Sequence, residues 1–236
     1  MRRYLHFFVF LLVGLLSSCR TAQRKAAPFD PLSLGPPGAT LKAFLDRQGQ
    51  PRAGGRAMVS QVTIEASLAG MNRKGKMVAQ KTVAPNGHIS YEMKSYEGDN
   101  LVKTKVIGLY LSAEQEASET TPPAINGENY QFKFKRKDSL GDRIAMIFEL
   151  TPVRKMIGLF KGELWLEEGT GWEMRQSGRL VKNPSVIFRS ADLTRDFALH
   201  LGAPYLSTVD YQAETRVIGR ITLKMNFEPP QPMEAR

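Results

Sequence analysis

Cysteine is almost absent from this chain of 236 residues. Cys19 is the only one, so no internal disulfide can form. Histidine is nearly as scarce. His6 lies in an apolar N-terminal run, and His88 and His200 are far apart with no second histidine or cysteine at ligand spacing. There is no Gly-x-Ser-x-Gly elbow for a serine nucleophile. Gly108, Gly158 and Gly162 stand alone and form no phosphate-cradling loop. Long hydrophobic runs are missing as well. The longest, Leu5 to Leu16, falls short of the ~20 residues that cross a bilayer as a helix. Carboxylates do cluster: Glu114, Glu116 and Glu119; Glu163, Glu167 and Glu168 around Trp165; Asp192 and Asp196 near Arg189 and Arg195. On solvated strand faces such groups form ion pairs of small energetic value rather than acid–base pairs. The expectation is a protein that is not an enzyme and carries no catalytic residue, metal or dissociable cofactor.

What the N-terminus does contain is more specific. Arg2 and Arg3 precede the apolar run, which ends in Leu16-Ser17-Ser18-Cys19. A positive start, about a dozen apolar residues and small residues before a cut site make a secretory signal over residues 1–18. Leu-Ser-Ser-Cys resembles the bacterial lipobox. That resemblance implies cleavage before Cys19 and covalent diacylglyceryl and acyl groups on it. Two acyl chains at one residue suffice for stable anchoring, each buried methylene contributing about 0.8 kcal/mol. Arg20 follows, where the enteric sorting system that this resembles uses Asp to retain proteins at the inner membrane. The expected location is the bacterial cell envelope, lipid-anchored in the outer membrane and facing the periplasm.

Removing residues 1–18 leaves about 218 residues, enough for one β-rich domain. The net charge of +10 is spread along the chain and suits anionic lipid headgroups. Export argues against nucleic acid as its partner. Residues 19–38, with Pro28, Pro31, Pro36 and Pro37, read as an extended tether. Leu41, Phe44 and Leu45 at helical spacing predict a short helix from Ala39 to about Gln48.

From Ala57 the apolar period becomes two. Val62, Ile64, Ala66 and Leu68 alternate with polar neighbours, as do Ile89, Tyr91 and Met93, then Phe132 and Phe134, then Ile144, Met146, Phe148 and Leu150, and finally Ile221, Leu223, Met225 and Phe227. One-sided alternation points to antiparallel strands with one wet face. Pro85-Asn86-Gly87 marks a hairpin. Glu97 to Asn100, Leu140-Gly141-Asp142, Gly169-Thr170-Gly171 and the basic run Arg73 to Lys76 read as further turns. The phase slip at Val106-Ile107-Gly108 suggests a bulge. Glu114 to Gly127 and Pro152 to Phe160 are irregular breaks. The spacing gives about nine to eleven strands in meander order.

A long antiparallel sheet behind a lipobox resembles the LolA/LolB-like superfamily of lipoprotein-sorting proteins. The runs from Val59 to Ser112, Gly162 to Leu166 and Gly171 to Leu180 carry the likeness. It implies a mainly β fold over residues 39–230: one curved antiparallel sheet, an incomplete barrel, with one or two short helices and an apolar concave face. Ile64, Leu68, Tyr91, Met93, Phe132, Phe134, Met146, Phe148, Met156, Ile157 and Phe160 are the expected wall of that groove. The implied partners are membrane lipid through the anchor, an acyl chain or lipoprotein as ligand, or another envelope protein. The sequence shows almost no lid-helix pattern. Met156 to Phe160, after Arg154 and Lys155, fits a membrane-touching segment and a buried core edge equally well.

Overall fold

The computed structural model describes residues 30–48, 55–119, 123–183, 188–217 and 219–233. The signal, the lipobox and Cys19 lie outside the described residues.

The alternating runs become one open antiparallel sheet of eleven strands. They are β1 (Met58–Leu68), β2 (Arg73–Val83), β3 (Ile89–Gly98), β4 (Tyr130–Leu140), β5 (Arg143–Pro152), β6 (Phe160–Glu167), β7 (Glu173–Leu180), β8 (Phe188–His200), β9 (Ala203–Thr215), β10 (Arg220–Phe227) and the two-residue β11 (Gln231–Pro232). The fold class is the expected one: mainly β, with a single open sheet and two helices. Its spatial order is β3-β2-β1-β10-β9-β8-β7-β6-β5-β4, with β11 beside β1. Two meanders therefore meet where β1 pairs with β10, Ile64 opposite Met225. The edges are β3 and β4, consecutive in sequence but at opposite sides of the sheet.

That order demands a long connection between β3 and β4, and here the sequence reading needs correction. Residues 100–119 are helical, running through Asn100–Val102, a π turn at Lys103–Ile107 and Gly108–Glu119. This cover helix is about 30 Å long at 1.5 Å per residue. It replaces the bulge expected at Val106 to Gly108, the strand continuing to Ser112 and the irregular start at Glu114. It also overturns the absence of a lid helix. Asp99 is the N-cap, its side chain accepting a hydrogen bond from Leu101 N at 2.8 Å. Val102, Val106, Ile107 and Leu111 form its buried stripe, close to helical spacing.

The other helix, α1 (Pro37–Gln48), begins two residues earlier than expected and follows a 3-10 turn at Pro31–Leu34. Of the expected tether, residues 31–38 are thus already structured, with Leu34 packed on the core. The turn at Pro85 to Gly87 forms as anticipated, Gly87 adopting φ 87°. The basic run from Arg73 is strand, not turn. The chain reverses instead at Ala69–Met71, with Asn72 left-handed at φ 50°.

One sheet face is dry because the apolar residues of successive strands coincide in register. They form two clusters. The first unites Val62, Ile64, Leu68, Leu223 and Met225 with the cover helix. The second unites Phe148, Leu150, Leu164 and Tyr130 with Leu41 and Phe44 of α1. β6 and β7 approach closely at the cross-strand pair Gly162–Gly178. A Cβ on Gly162 would strike Ser177 O, and one on Gly178 would lie 2.7 Å from Phe160 Cδ2. Gly162→Ala should accordingly lower unfolding stability by about 1–3 kcal/mol. Urea denaturation checks this, and an unchanged midpoint would contradict the close approach.

Candidate functional site

The covered sheet face is the candidate site, and its physical oddity lies where the cover helix meets β2 and β3. Lys81 belongs to the dry face of β2, and only 8% of its surface is exposed. A lone ammonium there would be costly. Its Nζ instead sits 2.7 Å from Glu114 Oε1 on the cover helix. Tyr91 Oη donates to Glu114 Oε2, also at 2.7 Å. Lys81 Nζ also lies over the rings of Phe227, at 5.1 Å, and Tyr91, at 5.5 Å. Burial, and then the Glu114 carboxylate, raise the Tyr91 phenol far above its ordinary pKa, so it remains a donor at neutral pH. One turn further along, Ser118 Oγ accepts a hydrogen bond from Ile89 N at 2.9 Å. The cover helix is therefore held by apolar packing along its first half and by a polar latch along its second.

Between the two apolar clusters the same face turns polar. Gln176 of β7 and Arg195 of β8 are register partners, and Arg195 donates to Gln176 Oε1 at 3.3 Å. Tyr110 of the cover helix packs on Tyr211, ring centroids 5.7 Å apart. Burial drives both phenols up, Tyr211 to about 12; Glu114 pushes Tyr110 further and Arg195 pulls it back. Among the described residues no buried side-chain nitrogen or oxygen lacks a partner.

The expected groove residues do not line one groove. Ile64 and Leu68 are sealed in the first cluster, with Tyr91 packed against it. Phe132, Met146, Phe148 and Phe160 are sealed in the second, with Phe134 and Met156 packed against that. Met93, at 48% exposure on an edge strand, and Ile157, at 51%, lie on the surface. The segment from Met156 divides accordingly: Leu159 and Phe160 are core, and Ile157 is outside. Sequence reading missed Lys81, Tyr110 and Gln176, and named Glu114 and Arg195 only as members of charged clusters. A basic residue in register with the apolar positions of β2 was the available signal for Lys81.

The acidic groups of the outer face are engaged by cations. Glu163 accepts from Lys135 Nζ at 2.7 Å, Arg136 at 3.0 Å and Trp165 Nε1 at 3.0 Å. Burial alone would raise its pKa; these three hydrogen bonds outweigh that and hold it at about 2. Arg136 and Arg175 both lie against the Trp165 ring, at 5.5 and 5.7 Å. Asp196 and Asp192 each take a bidentate pair, from Arg175 and Arg179. Glu167 and Glu168 accept from Arg143 and Lys137. No group of three or more histidine, cysteine or acidic side chains is placed to hold a metal among the described residues.

No protein-family model matches the chain, and no curated protein matches it. Among solved structures, a LolA superfamily protein from Nitrosomonas europaea is 12% identical over 83% of this chain and 94% of its own, with a TM-score of 0.39. A putative outer membrane lipoprotein-sorting protein domain from Vibrio parahaemolyticus is 11% identical over 84% of this chain and 94% of its own, with a TM-score of 0.43. A DUF1329 family protein from Desulfovibrio piger is 11% identical over 88% and 95%, also at 0.43.

The latch gives a double-mutant test. Lys81→Met strands the Glu114 carboxylate under the helix and should cost about 3 kcal/mol, as breaking a buried pair does. Lys81→Met with Glu114→Leu removes both charges and should cost less than either single change. Thermal or urea unfolding of the four proteins measures the coupling, and strict additivity would show that no latch exists.

Proposed function

We propose that this chain is a non-catalytic lipoprotein of the bacterial envelope, anchored through acyl groups on Cys19. Its covered sheet face takes an acyl chain, or a hydrophobic segment of a lipoprotein, beneath the cover helix. The observation that carries this reading is the mismatch between floor and cover. The floor of the first cluster spans five strands of apolar side chains, including the small residues Ala66, Ala79, Ala191 and Ala213. The cover is a single helix with a π turn near its start and a polar latch near its end. Apolar floor paired with a hinged cover suits a ligand that replaces the helix's own Val102, Val106, Ile107 and Leu111. Interactions of the helix with the floor are mostly non-directional, so an acyl chain substitutes for them at small cost.

A second reading has its own support. The described face is filled by the protein's own side chains, as in a structural or assembly lipoprotein that pairs with another envelope protein.

Titration with a fluorescent fatty acid separates the two. The protein purified from membranes should show saturable binding displaced by unlabelled fatty acid. Lys81→Met/Glu114→Leu, which keeps the apolar contacts and loses the latch, should take up ligand faster. Mass spectrometry of the same preparation should find a mature N-terminus at lipid-modified Cys19 and copurifying acyl chains. No saturable binding, together with a specific protein recovered from solubilised envelopes, would favour the second reading and sink the first.

A further inference from the structure

One end of the sheet carries a surface that neither the covered face nor the latch uses. Strand register brings the turns there side by side. Leu68 stands opposite Arg73 and Ile221, Thr215 opposite Phe188, and Phe160 opposite Leu180. The turns at 69–72 and 153–159 and residues 216, 217 and 219, with residues 181–183 and 188–189 between, therefore form one rim. Neighbouring turns touch: a Cβ on Gly219 would sit 3.7 Å from Gly70 Cα, and Val181 N donates to Leu159 O at 3.0 Å.

Two features coincide on that rim. Large apolar side chains project from the turns, with Met71 at 47% exposure, Val153 at 56%, Ile157 at 51% and Val217 at 80%. Cations are interleaved with them. Lys74, Lys155, Lys161, Lys182 and Arg189 take part in no ion pair among the described residues. At the opposite end of the sheet the charges are compensated, Glu167 pairing with Arg143 and Glu168 with Lys137.

We propose that this rim docks on an anionic phospholipid surface, the four apolar side chains entering the headgroup layer and the lysines facing phosphates. Charge complementarity supplies the sign: each Lys or Arg near an anionic leaflet multiplies partitioning about fivefold. The apolar groups are isolated residues spread over three turns with cations between them, and they form no groove. A fluid interface accepts such a row, because each side chain finds its own depth, whereas a folded partner would need a shaped patch. Long lysine side chains keep their charge at headgroup level while their stems follow the apolar tips. The docking stands independently of what the covered face binds.

Two single-cysteine proteins test it, each beginning at residue 19 with Cys19→Ser, so that neither an acyl anchor nor the apolar N-terminal run reaches the vesicle. One carries Val217→Cys on the rim. The other carries Leu201→Cys on the β8–β9 turn at the opposite end, where Leu201 is 93% exposed. With an environment-sensitive dye attached, Val217→Cys should blue-shift on phosphatidylglycerol/phosphatidylethanolamine vesicles and not on phosphatidylcholine vesicles. The shift should fade at high salt. Leu201→Cys should not shift. Adding Lys155→Glu and Lys182→Glu to the Val217→Cys protein should lower vesicle partitioning at least tenfold while leaving the circular dichroism unchanged. Equal shifts at both sites, no shift at Val217→Cys, or partitioning that ignores the charge reversals would each overturn the proposal. If Val217→Cys crosslinks to an envelope protein in cells and the charge reversals abolish that crosslink while leaving vesicle partitioning intact, the rim is a protein interface instead.

Discussion

A sheet with one apolar face has to cover that face, and in this protein half of the covering is done by a connection the sheet's own topology requires. β3 and β4 lie at opposite edges, so the chain between them has to travel from one side of the sheet to the other. Residues 100–119 make part of that passage as a helix and bury Val102, Val106, Ile107 and Leu111 on the way. The second half of the face is covered from the other direction, by Leu41 and Phe44 of α1. Hydrophobic burial at about 25 cal/mol per Å² drives both, and neither helix has a buried surface large enough to fold alone. The covers exist because the sheet is there, and the sheet's apolar face is shielded because the covers are.

The two faces manage charge differently. Outside, Glu163, Glu167, Glu168, Asp192 and Asp196 each hold a cation from another strand, those of Glu163 and Glu168 reaching from β4 across β5, with Trp165 clasped between Arg136 and Arg175. These are partly solvated contacts that fix register more than they stabilise. Inside, one ion pair, Lys81–Glu114, spans sheet and helix with Tyr91 completing the carboxylate's shell. With the Ile89–Ser118 hydrogen bond beside it, this pair specifies where the helix sits, while the apolar contacts specify only that it sits somewhere on the face.

The strands were largely legible because period two survives in any half-buried antiparallel sheet: β1, β5 and β10 read directly from Val62, Phe148 and Leu223 and their neighbours. The hairpin at Asn86-Gly87 was legible because its backbone demands those residues. The cover helix was not. Val106-Ile107-Gly108 is a β-branched pair followed by glycine, which local propensity assigns to a strand and a bulge, and the π turn at Lys103–Ile107 interrupts the 3.6-residue period that would have revealed the stripe. Tertiary packing against the apolar floor overrides that propensity. Strand order was also invisible, because β1–β10 pairing joins residues more than 150 positions apart. Without it, the expected groove residues could not be divided between two clusters, and Lys81 could not be placed opposite Glu114.

The central claim is that the cover helix is a separable element on the apolar floor of the first cluster. Native-state hydrogen exchange on the backbone amides of residues 100–119, set against β1 and β10, tests it most directly. The account predicts that the helix exchanges through a local opening well below the global unfolding free energy, and that Lys81→Met lowers that opening energy while β1 keeps its protection. Exchange of helix and strands as one unit, with the same free energy in both proteins, would contradict it.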